Sequence, residues 1–147
     1  PRPVEEIKKC LSSPAPPGLT IKSVEEVSLS DKSLQSQMHA SEYEVAFFDP
    51  QSEEELQKKI HNLMAEDEII RTRRKKTYDL RPLILDLAVI QLESDEWGLG
   101  MRLLAEPGQT GRPDEVLEEM GYQNTDVLVK RTKLILSEES KNISIDR

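Results

Sequence analysis

The chain has 147 residues, of which 36% are hydrophobic and 33% are charged, and its formal net charge at pH 7 is −8. This composition is typical of one compact globular domain, or of one domain with a fragment of another, and no apolar run reaches the roughly 20 residues of a membrane-spanning helix. The acidic charge argues against adhesion of the whole domain to nucleic acid or anionic lipid, so any phosphate binding must be local.

The single cysteine, Cys10, excludes an internal disulfide framework and a multi-cysteine metal centre. The N-terminus carries no apolar leader, and we therefore expect a cytoplasmic protein with no membrane partner. Two histidines and one cysteine form no recognisable catalytic or metal-binding spacing, so neither a catalytic nor a metal site is expected.

The N-terminal region begins with apolar residues at helical spacing, which predict an amphipathic helix over residues 3–12 that ends at the PAPPG motif. Residues 19–27 are typical of a strand. A helix and strand without earlier partners resemble the end of a larger unit. We therefore expect residues 1–27 to be the tail of a truncated subdomain, followed by a polar linker over residues 28–41.

The segment EYEVAFF at residues 42–48 alternates polar or small residues with larger apolar ones, which predicts a strand with one buried face. Ser52 and Glu55 then form a capping box. The helix that follows has one apolar stripe, made of Leu56, Ile60, Leu63 and Met64.

The second half of the chain continues with two β-rich runs, LILDLAVIQ and WGLGMRLLAE, which a polar turn joins into a predicted hairpin. RPDEVLEEMG predicts a helix with Pro113 in its first turn and Gly121 at its end, and DVLVKRTKLIL predicts a last strand. The order strand, helix, strand, strand, helix, strand over residues 42–137 predicts an α+β domain of the ferredoxin-like, split βαβ class, with two helices on one face of a four-stranded sheet. We expect the tail, residues 138–147, to be disordered.

The stretch RTRRKKTYDLRPLI, residues 71–84, places five cations within six positions of an acidic chain. It predicts an inserted β-hairpin with its turn near Arg74 and Lys75. Arginine forks suit phosphate oxygens, so contact with RNA is one interpretation. Charged tips also keep hairpin edges soluble, and a solvated tip or a contact with an acidic protein is the other.

The helix-free face of the predicted sheet offers a second surface. It is predicted to present Glu42, Glu44, Ala46 and Phe48, then Ile84, Asp86, Ala88 and Ile90, then Gly98, Gly100 and Arg102. Since only one of these residues is aromatic, stacking of RNA bases on the sheet is not expected. The mixed apolar character instead favours burial against another domain.

Smaller features complete the candidate sites. Asp79 and Arg81 are predicted to pair and to fix the turn into the next strand, and Arg102 is the expected partner of Asp86. The glycine-rich loop before the second helix can hold an anion on its amides, but it lacks the lysine and hydroxyl residues of a phosphate-binding loop. The predicted binding residues are Arg71, Arg73, Arg74, Lys75, Lys76, Asp79, Arg81 and Arg112.

Three strings, RRKKTYDLRPLI, GQTGRPDEVLEEMG and VKRTKLIL, together resemble the C-terminal part of the radical SAM-linked domain of unknown function. In bacteria that domain is fused to, or encoded beside, a radical S-adenosylmethionine (SAM) protein. The resemblance covers roughly residues 1 to 137, without the family's N-terminal portion or the three-cysteine motif of the radical SAM partner. It implies an accessory region with no cofactor of its own, whose parent protein carries the 4Fe-4S cluster and SAM.

Three functions follow as hypotheses. The first is a noncatalytic accessory domain that recognises a substrate of a radical SAM protein, RNA or a ribonucleoprotein, through the basic hairpin. The alternative is a protein-docking or structural module whose open sheet face packs on the radical SAM core or on a missing subdomain. An independent enzyme has little support, because the sequence shows no acid/base or nucleophile constellation.

Overall fold

The computed structural model of the protein describes residues 3–137, so the predicted disordered tail lies outside the described residues. The chain divides into two units, of which the first ends at Lys32 and the second begins at Ser33. In the first unit, helix α1 (Val4–Ser12) forms as predicted, with no buried residue. The strand predicted over residues 19–27 is wrong: these residues form no strand, because residues 3–32 contain no other strand to complete a hydrogen-bonded ladder.

The second unit has a mixed α/β architecture with an antiparallel sheet and few helices. One helical turn, α2 (Leu34–Gln37), leads into strand β1 (Met38–Phe47). The strand therefore starts before Glu42, and part of the region predicted as a linker is ordered structure. The remaining elements are α3 (Glu53–Met64), β2 (Ile70–Arg73), β3 (Lys76–Asp79), β4 (Ile84–Gln91), β5 (Trp97–Glu106), β6 (Gln109–Thr110), α4 (Pro113–Glu119) and β7 (Val127–Leu136).

The main sheet has the strand order β4-β5-β1-β7, with β6 paired to the end of β5. Its strands pair antiparallel throughout. Strands β2 and β3 form a separate two-stranded ribbon. This ribbon follows α3 in the chain, where the basic stretch predicted an insertion.

The two longer helices of this unit pack on one face of the sheet. Leu56 of α3 and Leu117 of α4 are fully buried, as are Val45 of β1 and Leu99 of β5, and all four belong to one core cluster. Half of the predicted capping box of α3 is present: the Ser52 hydroxyl accepts a hydrogen bond from the amide of Glu55 at 3.2 Å, but no return bond from the Ser52 amide to the Glu55 side chain is found among the described residues. Both helices therefore begin and end close to where capping and periodicity placed them.

The open face of the sheet differs from the prediction at its β4 edge. Pairing between β4 and β5 is irregular between Ile84 and Asp86, and this irregularity shifts the alternation of side chains. Ile84 is consequently buried in the core, whereas Leu85 is 39% exposed. Placing Ile84 on the open face was wrong.

The ion pair on the open face also differs from the prediction. The Arg102 guanidinium donates to Glu42 at 2.7 and 3.1 Å, rather than to the expected partner Asp86. Asp86 is exposed, and its carboxylate has no ion pair among residues 3–137.

Candidate functional site

The basic stretch forms the hairpin that the sequence predicts. Ile70 pairs with Asp79 at one end, and Arg73 pairs with Lys76 at the turn. The two turn residues, Arg74 and Lys75, have positive φ values of 48° and 67°. A two-residue turn with two positive φ values matches the twist of a β-hairpin, although asparagine and glycine adopt it at lower cost than arginine and lysine.

Two arginines of β2 fasten this hairpin to helix α4. Arg71 donates to Glu119 at 2.6 Å and also to Glu118. Arg73 makes a bidentate contact with Glu115, from Nη2 at 2.6 Å and from Nε at 2.9 Å. Glu115 is only 7% exposed. A buried carboxylate held by a guanidinium fork fixes the orientation of both side chains.

The electrostatics of this contact follow from burial and pairing. Burial opposes the charged form of Glu115, but hydrogen bonds from Arg73 and Tyr78 outweigh it and hold the pKa of Glu115 below its ordinary value. The hydrogen bonds with Glu115 raise the pKa of Arg73. Burial, reinforced by Glu115, raises the pKa of Tyr78. At neutral pH the site therefore holds a charged arginine, a charged glutamate and a neutral tyrosine.

Beside this contact lies an open cleft of about 650 Å³. The hairpin forms one wall, the turn after β3 forms the floor, and the loop carrying β6 forms the other wall. The lining residues are Arg73, Arg74, Lys76, Tyr78, Asp79, Pro82, Leu83, Gly108, Gln109, Thr110 and Arg112. A concave surface with an apolar floor and a few convergent polar groups is the usual form of a ligand site.

Two glycines position the loop wall. Gly108 has a φ of +78°, which a glycine adopts at little cost in the tight turn between β5 and β6. At Gly111, a Cβ atom would lie 3.1 Å from the carbonyl oxygen of Leu83 and 3.3 Å from its Cβ. Gly111 therefore allows the loop to approach the floor of the cleft closely. The carbonyl of Thr110 then accepts from the Arg73 guanidinium at 3.3 Å.

Three cations of the cleft have no counter-ion within the part of the chain that the structure describes. Arg74, Lys76 and Arg112 are exposed, and no hydrogen bond or ion pair of their side chains is found among residues 3–137. Lys75, at the tip of the turn, is likewise exposed and does not line the cleft. The charges of the three cleft cations are available to an anionic ligand.

The structure separates the predicted binding residues into two groups. Those that line the cleft are Arg73, Arg74, Lys76, Asp79 and Arg112. Arg71 is engaged with α4, and Lys75 points from the tip of the hairpin. Arg81 donates to the carbonyl of Met64 at 3.3 Å, where it caps the last residue of α3.

Asp79 fixes the turn by a different contact from the predicted one. Its Oδ1 accepts hydrogen bonds from the amide of Ile69 at 2.7 Å and from the amide of Arg81 at 3.0 Å. The predicted side-chain pair of Asp79 with the Arg81 guanidinium is therefore wrong, because the backbone amides of the turn occupy the carboxylate.

Sequence reasoning missed several residues of the site. Tyr78, Pro82, Gln109 and Thr110 line the cleft, and Glu115 holds Arg73. Tyr78 stands two positions after Lys76 in an extended segment, so strand alternation was a usable signal for it. No local signal marks Glu115, because its partner lies 42 positions away in the chain.

The described part of the chain offers few other groups that could bind a metal ion or an anion. No group of three or more His, Cys, Asp or Glu residues there is arranged to hold a metal ion. His39 Nδ1 lies 3.0 Å from Glu106. The amide of Gly111 donates to the carbonyl of Leu104 at 2.8 Å, so it is not available to the anion considered for that loop. No helix among the described residues is long and apolar enough to span a membrane.

Comparison with known proteins gives one match. A family model described as "Uncharacterized protein conserved in bacteria (DUF2344)" matches residues 1–113, a range that includes every residue lining the cleft. No curated protein and no solved structure matches the chain.

Proposed function

The chain belongs to this family of conserved bacterial proteins (DUF2344), and we propose that it is a noncatalytic accessory domain that binds RNA through the cleft beside the basic hairpin. RNA presents a dense row of phosphates, and short cationic surfaces on acidic proteins recognise such rows locally. Of the predicted binding residues, we propose that Arg74, Lys76 and Arg112 contact the phosphates. Arg71 and Arg73 hold the hairpin in place through their ion pairs with α4.

The observation that carries this proposal is that some cations of the hairpin are paired with acids and others are not. Arg71 and Arg73 are neutralised by acids of α4, whereas Arg74, Lys76 and Arg112 line one cleft with no acidic partner in the range 3–137. A hairpin tip that served only solubility would need neither rigid anchoring nor a facing cation from another loop. The convergence of anchored and free cations favours a binding role.

The direct test is a titration of the full chain against a fluorescently labelled RNA stem-loop. The variant R74E/K76E/R112E removes the three free cations and leaves the anchoring pairs intact. We expect it to lose at least tenfold in affinity at low salt, because each lost phosphate contact weakens binding and each added glutamate repels the backbone.

A matched control makes the same charge change on other exposed lysines, as K9E/K22E/K58E. It should bind RNA within about twofold of the wild type if the contact is local. Equal losses in both triple variants would show only a general effect of net charge, and absence of binding by the wild type would refute the proposal.

The resemblance to the radical SAM-linked domain extends this proposal to a partner. We infer that the chain serves a radical SAM protein, which would carry the 4Fe-4S cluster and SAM, and that RNA is the substrate that the pair shares. The strand order supports the ferredoxin-like interpretation that accompanies the resemblance. When the β2–β3 ribbon and the short β6 are set aside, the order β4-β5-β1-β7, antiparallel throughout, is that of a split βαβ unit.

A specific surface favours the second candidate function, docking to a protein. Phe48 is 69% exposed and Leu128 is 61% exposed. They lie near each other, because the amide of Phe48 donates to the carbonyl of Asp126 at 3.0 Å. Exposed apolar residues of this size at one end of a sheet are typical of contact surfaces.

Size-exclusion chromatography of the full chain with a purified radical SAM protein encoded beside it tests this docking. We expect co-elution at micromolar concentration that F48E/L128E abolishes and R74E/K76E/R112E preserves. Separate elution of the two wild-type proteins would contradict the proposed radical SAM partner. It would not bear on RNA binding, which the RNA titration tests.

A further inference from the structure

The two ends of the cleft, followed along the hairpin, differ in chemistry. This difference says more about the ligand than that it carries a phosphate. Arg74 and Lys76 lie at the turn, whereas Tyr78 and Asp79 lie toward the open end of the ribbon, where Asp79 pairs with Ile70. At about 3.3 Å per residue, the turn and the open end are separated by about 10 Å. One end of the cleft is thus cationic and the other combines an aromatic ring with a carboxylate.

The open end of the cleft presents flat and apolar surfaces. Tyr78 is half-buried, and the Arg73 guanidinium lies over its ring, 4.8 Å from the centroid. Pro82 and Leu83 line the floor beside them. Aromatic rings and guanidinium planes are the surfaces on which unpaired bases stack. The Arg73 guanidinium at this end is already paired with Glu115, so it offers little attraction to a phosphate.

Polar groups on both walls of the cleft, with Asp79 at this end, can contact the edge of a base. Asp79 uses Oδ1 for the backbone, and no partner of its Oδ2 is found among the described residues. Gln109, on the opposite wall, also has a side chain without a partner in that range. A carboxylate oxygen accepts from an exocyclic amino group and repels phosphate, so these groups favour a base and direct the anionic end of a ligand toward the turn.

We infer that the cleft holds one unpaired nucleotide of an RNA strand, with its phosphate at Arg74 and Lys76, its base against Tyr78 and Pro82, and Arg112 on the facing wall. The inference rests on the proposed RNA binding and adds a preference for single-stranded RNA. In a duplex the bases are stacked and paired, and their faces cannot enter a cleft.

The test compares a labelled single-stranded RNA of about 12 nucleotides, within the site size of small binding domains, with the same strand annealed to its complement. Wild type should prefer the single strand by at least fivefold. Y78L, which retains apolar volume but lacks the ring, should lose about 5- to 100-fold for the single strand, the range attributed to one stacked base. Its duplex affinity should change by less than twofold. Y78F should restore most of the loss, because it retains the ring.

A competition experiment on the wild-type protein decides the matter even if Y78L folds poorly. Adenosine monophosphate and ribose 5-phosphate carry the same phosphate, and only the first carries a base. We expect adenosine monophosphate to displace the labelled single strand at a concentration at least tenfold lower.

The outcomes of these experiments distinguish the nucleotide inference from the proposed RNA binding. Equal competition by the two compounds, or equal binding of single strand and duplex, would overturn the nucleotide inference while R74E/K76E/R112E still tests RNA binding. If the wild type binds neither RNA, the proposed function fails and this inference fails with it.

Discussion

At the scale of single residues, the arginines of the basic stretch differ in role although they look alike in the sequence. Arg73 is held by a carboxylate that is nearly inaccessible, and Arg74, the next residue, is exposed and unpaired among the described residues. Charge density and alternation predict a cluster of cations, but only the tertiary contact with α4 decides which of them are neutralised. This is why the sequence indicated the cationic surface and overestimated the number of residues free to bind.

Glu115 is the residue on which the anchoring of the hairpin depends most. We expect E115Q to lower the free energy of unfolding at pH 7 by about 1–3 kcal/mol, because it weakens a buried, charge-assisted bidentate contact. The matched change E118Q concerns a half-exposed carboxylate and should cost less than about 1 kcal/mol. Urea denaturation of the three proteins measures both differences.

The stability difference between wild type and E115Q should depend on pH. The pKa of Glu115 is lower in the folded protein than its ordinary value of 4.5, so the unfolded chain binds the proton first and the stabilisation from Glu115 is lost as pH falls below that value. The stability difference between wild type and E115Q should therefore be complete near pH 7 and shrink between about pH 5 and pH 3. A difference that stays constant across this range would contradict the assigned role of Glu115.

At the scale of elements, the two-residue turn of the hairpin is the most informative feature. Arg74 and Lys75 both adopt left-handed backbone conformations, which cost a residue with a Cβ atom about 1 kcal/mol each. Asparagine followed by glycine would satisfy the same turn at lower cost. Cationic residues at strained positions suggest that charge at the tip matters more here than stability.

This interpretation predicts opposite changes in stability and binding. R74N/K75G should raise the free energy of unfolding by about 1 kcal/mol and should lower RNA affinity, because both tip cations are lost. The control R74S/K75S loses the same charges without relieving the turn, so it should lose affinity with no gain in stability. Thermal denaturation combined with RNA titration separates the two effects. Full RNA affinity in R74N/K75G would mean that the turn is not part of the interface.

Most elements of the second unit were predictable because their signals are local. Capping at Ser52, the glycine stop after α4 and the alternation in β5 required no knowledge of the fold. The misplaced elements depended on contacts distant in the chain. Residues 19–27 have the composition of a strand but no partner strand within their unit, and Ile84 turns inward at an irregularity in the pairing of β4 with β5 that no residue type announces.

At the scale of the whole molecule, the proposed RNA contact has to be compatible with an acidic chain. The chain carries a net charge of −8, yet three cations without a counter-ion among residues 3–137 line one cleft, while Glu115, Glu118 and Glu119 of α4 are paired with Arg73 and Arg71. Long-range repulsion then limits nonspecific binding, while the local field within the cleft attracts phosphate. Specificity in this account comes from the placement of charges rather than from their sum.

The measurement that tests this central claim most directly is the salt dependence of RNA affinity for wild type and R74E/K76E/R112E between 50 and 200 mM salt. For single-stranded RNA each neutralised phosphate contributes a slope of about −0.7 to the logarithm of affinity against the logarithm of salt concentration, so the one phosphate held in the cleft gives a slope of about −0.7. We predict this slope for the wild type and a slope near zero for any residual binding by the triple variant. Equal slopes in the two proteins would contradict the claim that the cleft cations make the contact.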